Sequence, residues 1–374
     1  MKERFYALDG LRGVCALAVV VFHMDWLDSV TGLDFFRGSF LFVEFFFVLS
    51  GFVLAHRFQV KDASCFSHFM KARFFRLYPL HIAMFALVVL YQFIHMFVNS
   101  VYGLNFGIEP FTAKYAVDEI IPHLLLIQSW SSSFNSVSFN GSSWSISIEF
   151  YMYALLFFSI VTFRAHQVLS WIVISLVAFG FLFTKLGFIP SEVLRGLSCF
   201  FGGAFFYTVY LTVSKVSLSY KTASFLELVL LVTIIAAIQF KHDYRSIVVS
   251  ALFMLAVLLL AFESGFFSEL LMKKSMQTLG VLSYSVYLTH GVLLLYFRAM
   301  LTIWDEYIAI EMMPVIDGVR YMNFGSTVAN NLGVLLILVL SVLLSRYTHK
   351  YIELTGQRLG AQLSWSQPKH SKVS

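Results

Sequence analysis

Two polar side chains that could take part in chemistry interrupt the first apolar segment of the chain. Arg12 lies near its start, in Leu8-Asp9-Gly10-Leu11-Arg12-Gly13, and His23 lies near its end. In an α-helix the spacing from Arg12 to His23 corresponds to about three turns, so both side chains lie on nearly the same face, about 16 Å apart along the axis. Ionisable residues inside a membrane helix are candidates for function. A second interpretation stays open, in which Arg12 marks the membrane edge and His23 snorkels to the far interface.

Two arginines precede the third apolar segment. Arg73 and Arg76 are three residues apart and are followed by Tyr78-Pro79. Helical spacing of three places both guanidinium groups on one face. Such a pair suits forked hydrogen bonds to phosphate oxygens. The alternative is a pair of topology-setting charges in contact with lipid headgroups.

Two further apolar segments contain features of interest, one a carboxylate and the other a pair of small residues. Glu149 lies about two turns into the segment that begins Trp144-Ser145-Ile146-Ser147-Ile148. A carboxylate there needs a partner or takes up a proton, and a structural ion pair with a buried arginine is the simpler alternative. Ser50 and Gly51 end the second apolar segment, where small residues favour a close helix contact.

A histidine also lies on the ninth apolar segment. His290 ends the run Leu279-Gly280-Val281-Leu282-Ser283-Tyr284-Ser285-Val286-Tyr287-Leu288-Thr289-His290. A histidine among apolar residues is more often a satisfied packing residue, and that interpretation is favoured here. Tyr284 and Tyr287 are further candidates, for a proton relay.

Composition identifies the kind of chain that must position these groups. Apolar residues make up 59% of the 374 residues and charged residues only 13%, with a mean hydropathy of +0.79. These values exclude an ordinary soluble domain and indicate a polytopic membrane protein. The net charge of +5 is attributed to loops rather than to nucleic-acid binding. Cys15, Cys65 and Cys199 show neither disulfide nor metal-ligand spacing, and no metal is predicted.

Ten windows are long enough to cross about 30 Å of hydrocarbon. They lie near residues 13–30, 38–56, 80–99, 143–163, 168–187, 194–213, 223–240, 246–263, 280–300 and 329–347. Residues 120–130 are too short to cross and contain Pro122 and His123. The sequence therefore predicts an all-α polytopic bundle of about ten transmembrane helices, with a re-entrant or interfacial segment near 118–142.

Loop charge predicts the orientation. With ten spans and both termini in the cytoplasm, the basic loops around Arg73 and around Lys273 lie inside, as the positive-inside rule requires. Residues 1–355 then form one membrane-embedded domain. Residues 356–374 form a basic cytoplasmic tail that is expected to be disordered.

Five of these patterns, in this order, resemble the acyltransferase-3 family of integral-membrane O-acyltransferases. They are the Arg12 and His23 pattern, Phe46-Phe47-Val48-Leu49-Ser50-Gly51-Phe52, Arg73-Phe74-Phe75-Arg76-Leu77-Tyr78-Pro79, Trp144 to Glu149, and Leu279 to His290. The resemblance spans residues 5 to 355. It implies transfer of an acyl group, usually acetyl from acetyl-CoA, to a hydroxyl of a glycan or a related acceptor. The expected location is a bacterial inner membrane.

The resemblance also suggests roles for the residues. Arg73 and Arg76 are expected to bind the phosphates of acyl-CoA, and Arg12 its phosphate or thioester region. His23 is the first choice for the general base, and Glu149 would orient its imidazolium. A serine nucleophile is not convincing.

A membrane transporter or flippase of a polar solute or glycan is the alternative function. Intramembrane ionisable residues also line transport pathways. Against it, the sequence has no internal repeat and no matching pair of broken helices. A purely structural protein gives no reason for polar clusters in five separate segments.

Overall fold

Long apolar runs without internal turn signals form helices, and helices account for nearly all of the regular structure. The computed structural model describes residues 4–60, 66–305 and 311–364. Its α-helices are α1 Tyr6–Phe22, α2 Asp34–Arg37, α3 Phe42–Val60, α4 Phe66–Tyr102, α5 Ile120–Leu124, α6 Trp144–Phe163, α7 Gln167–Thr184, α8 Ser191–Val213, α9 Tyr220–Gln239, α10 Arg245–Leu260, α11 Phe266–Leu271, α12 Lys274–Asp305, α13 Thr327–Thr348 and α14 Leu354–Ser364. A π-helical turn, His349–Glu353, joins α13 to α14. A short antiparallel hairpin pairs β1 Val315–Ile316 with β2 Val319–Arg320.

The predicted all-α polytopic membrane architecture is confirmed. By length and composition, 7 helical stretches in the described residues could cross a membrane: Ser39–Phe58, Phe66–Tyr102, Gly141–Thr184, Ser191–Val213, Tyr220–Gln239, Lys274–Asp305 and Thr327–Leu363. The stretch Gly141–Thr184 contains both α6 and α7, and α1 and α10 are shorter apolar helices. Eight of the ten predicted windows overlap one of the seven long stretches, and the windows 13–30 and 246–263 overlap α1 and α10. The number of spans stays a prediction.

The first helix is placed differently from its predicted window. It begins at Tyr6 and ends at Phe22, so the motif from Leu8 to Gly13 is helical and His23 is its C-cap residue. The window started at residue 13 because Asp9 and Arg12 are polar. Tertiary contacts overrule that reasoning, since Ala7 and Leu8 are buried in the bundle.

Glycines bring α1 against α12. A Cβ at Gly13 would lie 2.6 Å from the carbonyl carbon of Leu279, and a Cβ at Gly280 would lie 2.2 Å from the Asp9 carbonyl oxygen. Only glycine permits backbones to approach this closely. The two helices therefore touch along their backbones, and polar side chains on either one reach the other.

A second close contact joins α3 to α8. A Cβ at Gly51 would lie 1.8 Å from the Phe200 carbonyl oxygen, and one at Gly203 would lie 2.0 Å from that of Val48. The packing role predicted for Gly51 is confirmed. Ser50 beside it has a different role, described below.

The helices α1, α4 and α12 run parallel through the centre of the bundle. Arg12 contacts Gly280 and His23 contacts His290, so α1 and α12 run in the same direction. Tyr284 and Tyr296 of α12 donate to the carbonyls of Leu77 and Leu87 of α4. We call the two ends of this group the Arg12 end and the His23 end.

The segment 118–142 folds back into the bundle without a membrane-length helix. Its only α-helix is α5, of 5 residues, and its buried polar side chains include those of His123, Gln128 and Asn140. This agrees with the absence of a span here.

The predicted boundary at 355/356 falls within α14, which packs on α4 through Gly360 and Phe75. Residues 365–374 lie outside the described residues.

The close contact between α1 and α12 predicts that a larger side chain at Gly13 destabilises the fold. Gly13→Ala should destabilise the fold by about 1–3 kcal/mol, because the new methyl group meets backbone that cannot move aside. Thermal unfolding of the purified protein in detergent measures this as a lower midpoint. The control is Gly180→Ala in α7, where nothing lies within 4 Å of the new Cβ. Equal midpoints for the two variants would contradict the packing argument.

Candidate active site

A polar cavity lies between α1, α3, α4, α6 and α12 toward the Arg12 end. Its volume is about 130 Å³. The candidate residues that line it are Arg12, Ser50, Arg73, Arg76, Glu149, Tyr284 and Tyr287. The structure thus brings together every candidate except the two histidines, from segments far apart in the chain.

Arg12 is held in the cavity by α12. Its Nε donates to Ser283 Oγ at 2.8 Å, and its Nη2 donates to the Gly280 carbonyl at 2.7 Å. Asp9 lies 3.7 Å from the same guanidinium. These partners hold the guanidinium of Arg12 against α12.

Glu149 has hydroxyl partners. Ser50 Oγ and Tyr153 OH each donate to Glu149 Oε1 at 2.5 Å. Among the described residues no ion pair joins Glu149 to an arginine, and no hydrogen bond joins it to His23. Glu149 lines the cavity and His23 does not, so the role of Glu149 in orienting His23 stays a prediction that no described contact supports.

Arg73 and Arg76 stand between two cavities. Arg73 is 6% exposed, packs on the rings of Phe69 and Tyr153, and has a buried Nε without a hydrogen-bond partner in the described structure. Both arginines also line a second cavity of about 310 Å³, together with Arg57, His68, Lys71 and α14. A buried donor without a partner is uncommon in proteins. A bound anion between the two cavities would satisfy it.

The two candidate histidines form a pair at the His23 end. His290 Nε2 lies 3.2 Å from His23 Nδ1, and the ring centroids are 4.9 Å apart. His290 is fully buried. The interpretation of His290 as a packing residue misses this partner, because its neighbour in space is remote in sequence.

Backbone contacts assign the protons of the pair. His23 Nδ1 lies 2.9 Å from the Val19 carbonyl, and His290 Nδ1 lies 3.1 Å from the Val286 carbonyl. A carbonyl accepts only from N–H, so each neutral ring carries its proton on Nδ1. His23 Nε2 then carries a lone pair, which is the form that a general base requires.

Tyr287 connects the cavity with the histidines. Its ring packs against that of His290 at 6.0 Å, and its hydroxyl accepts from Ser145 Oγ at 2.8 Å. Ser142, at the end of the segment 118–142, lies 3.2 Å from His290 Nε2. The sequence could not place this segment beside α12.

A buried ion pair was missed by sequence reasoning. Glu44 of α3 is fully buried and accepts from Arg195 Nε of α8 at 2.9 Å and from Ser246 Oγ at 2.8 Å. Arg195 also lies over the ring of Trp144, 4.9 Å from its centroid. One acid and one base in separate apolar segments were the available signal.

A second missed cluster surrounds the end of α1. Asp25 pairs with Arg37 at 2.9 Å and with Arg298 at 3.0 Å. Arg298 Nη2 also donates to the His23 carbonyl at 3.0 Å. These contacts hold the C-cap of α1 against α12, and so help to keep His23 at His290.

The described residues contain no group of three His, Cys, Asp or Glu side chains that could hold a metal ion. Cys15 and Cys199 are free and buried, and Cys65 lies outside the described residues.

Fold and site together define a helical membrane protein with a polar cavity, rich in arginine, that is built inside the bundle. The chain belongs to the acyltransferase-3 family, whose model, described as an acyltransferase domain, matches residues 5–348. The predicted family is confirmed by this match.

Similar curated proteins cover only parts of the chain. It is 46% identical over 99 residues to Protein 2 in picA locus of Rhizobium radiobacter, covering 26% of this chain and 49% of that protein. It is 34% identical over 160 residues to Acyltransferase MdmB of Streptomyces mycarofaciens, covering 40% and 38%. Peptidoglycan O-acetyltransferase OatA of Listeria monocytogenes is 25% identical over 163 residues, covering 40% and 23%. The matches thus span half or less of each relative, and no solved structure matches the chain.

The buried pair predicts a large effect of a small change. Glu44→Gln should destabilise the protein by about 3–5 kcal/mol, because it leaves the Arg195 charge buried without its counter-ion. The midpoint of thermal unfolding in detergent measures this. Lys185→Gln breaks the exposed pair with Asp243 and should leave the midpoint unchanged. A Glu44→Gln protein that melts with the wild type would refute the role of the pair.

Proposed function

We propose that the protein is an O-acyltransferase that moves an acyl group, acetyl in the first instance, from acyl-CoA to a hydroxyl of a cell-surface glycan or related acceptor. The observation that carries the proposal is the junction formed by Arg73 and Arg76, which open both onto the outer basic cavity and onto the inner cavity with Arg12 and Glu149. Membership of the acyltransferase-3 family supports it.

The donor is assigned to the Arg12 end. The phosphates of acyl-CoA bind Arg73 and Arg76 by charge-assisted hydrogen bonds, with Arg57 and Lys71 beside them in the outer cavity. The long pantetheine arm then runs into the inner cavity past Arg12. Acyl-CoA is made in the cytoplasm, so this end faces the cytoplasm and both termini lie there. A bacterial inner membrane is the proposed location.

The reaction is a direct transfer with His23 as the general base. The acceptor oxygen attacks the thioester carbonyl carbon, and His23 Nε2 takes the hydroxyl proton. The new C–O bond forms, the C–S bond breaks, and the proton passes to the departing CoA thiolate. His290 positions the His23 ring, and Glu149 positions Ser50 and Tyr153 at the wall of the donor cavity.

The role of His23 predicts a loss of chemistry without a loss of protein. His23→Ala should lower acyl transfer by about 10²–10⁴-fold, the range that a general base contributes. Membrane vesicles supplied with radiolabelled acetyl-CoA measure this as label in the glycan fraction. His166→Ala, a substitution at an exposed histidine, is the control. Normal labelling by His23→Ala protein at equal expression would remove His23 from the mechanism.

The phosphate role predicts a loss of donor affinity. Arg73→Ala combined with Arg76→Ala should weaken acyl-CoA binding by about 10²–10⁴-fold, since each charged hydrogen bond contributes about 1.5–3 kcal/mol. Calorimetric titration of the purified protein with acetyl-CoA measures the affinity. The control is Arg346→Ala, at an exposed arginine of α13. An unchanged affinity for acetyl-CoA would contradict the phosphate role and favour the alternative, in which both arginines only set the membrane topology.

The same vesicles separate the proposal from the transporter alternative. Label that becomes attached to a glycan supports acyl transfer. Uptake of a polar solute that does not depend on CoA, without such labelling, would favour transport.

A further inference from the structure

Positive charge accumulates around His23 at the end of the bundle opposite the proposed donor cavity. Arg37 and Arg298 flank Asp25 there, and their side chains are 33%, 35% and 27% exposed. One carboxylate is thus shared by two arginines, and all three side chains can be reached by solvent. Because two arginines share the single carboxylate of Asp25, the group carries one positive charge in excess.

Lys114 adds a third cation to this group. Burial lowers the pKa of Lys114, and the positive charge of Arg298 lowers it further. Its described contact is with the ring of Tyr115, 5.1 Å from the centroid, and no carboxylate pairs with it among the described residues. Its backbone carbonyl accepts from Phe139 N at 3.0 Å, which places it beside the strand of chain that leads to Asn140 and Ser142.

Two buried polar atoms near the histidine pair lack partners in the described structure. Asn140 is 3% exposed and its Nδ2 donates to the Leu288 carbonyl at 2.9 Å, while its Oδ1 has no donor. The Nε of Arg298 likewise has no acceptor. A hydroxyl donor would satisfy the first atom and an anionic oxygen the second.

We propose that Lys114, Arg298 and Arg37 form the acceptor site, and that the acceptor is a hydroxylated molecule that also bears an anionic group, a carboxylate or a phosphate. This inference rests on the proposed acyl transfer. The anion binds Arg298 and Lys114, and Asn140 Oδ1 accepts from an acceptor hydroxyl. That arrangement holds a neighbouring hydroxyl at His23 Nε2.

The donor's own phosphates do not account for this cluster. Arg12 and His23 are about 16 Å apart along α1, and the donor cavity carries its own cations at Arg73 and Arg76. Two separated cationic sites match two anionic substrates that approach from opposite ends.

The chemical nature of the labelled product tests the proposal. Wild-type vesicles are supplied with radiolabelled acetyl-CoA, and the labelled product is purified and identified by anion-exchange chromatography, mass spectrometry and NMR. The expected product carries its acyl group on, or next to, a unit with a carboxylate or a phosphate, which ¹³C and ³¹P signals distinguish. A neutral labelled unit would overturn the inference and leave acyl transfer intact. Absence of any labelled product would instead overturn the proposed function.

A variant tests the site itself, with the deacylated product as acceptor. Lys114→Gln should raise the KM for this acceptor about tenfold, the effect of one charged contact of about 1.4 kcal/mol, while kcat and the KM for acetyl-CoA stay unchanged. Lys114→Arg should restore the lower KM. Lys185→Gln, which removes a lysine from the exposed pair with Asp243, is the control. An unchanged KM in Lys114→Gln would remove Lys114 from the acceptor site.

Discussion

The backbone contact between α1 and α12 is the constraint on which the rest of the site depends. Gly13 and Gly280 let the two helices approach until side chains of one bond to the main chain of the other. Arg12 can then donate to the Gly280 carbonyl, and His23 can reach His290. Larger residues at either glycine would separate the helices, and the arginine would lose the acceptors that hold its charge inside the bundle. In a membrane this matters more than in water, because no solvent replaces a lost partner.

The polar groups inside the bundle divide into those that are satisfied and those that are not. Arg12 and Glu149 have partners that fix them. Atoms of Arg73, Asn140 and Arg298 remain without described partners. Satisfied groups stabilise one arrangement of helices, whereas buried donors and acceptors without partners carry a cost that a bound ligand can remove. Arg73 lies in the proposed donor site, and Asn140 and Arg298 lie in the proposed acceptor site, whereas other buried atoms without described partners, such as Gln92 Nε2 and Ser341 Oγ, lie elsewhere in the bundle.

Apolar periodicity predicts the helices of this chain well, because a membrane span needs only length and low charge. It predicts helix ends less well. The window for α1 began too late, since Arg12 looks like an interfacial residue until α12 supplies its hydrogen-bond acceptors. The same limit applies to the site. Sequence spacing places Arg12 with His23, and Arg73 with Arg76, because those pairs lie on single helices. It cannot pair His23 with His290 or Glu149 with Ser50, because those contacts join different helices, and local sequence does not determine which helices pack together.

The separation of Glu149 from His23 changes how the site is understood. A carboxylate beside His23 would form a triad-like unit, but the ring partner here is a second imidazole whose proton already binds a carbonyl. A neutral partner can hold the orientation of His23 without adding charge. The carboxylate instead lies among the cations of the proposed donor cavity, where it offsets part of their charge. Tyr287, which contacts both regions, is therefore the point at which an acyl group carried past Arg12 would come within reach of the base.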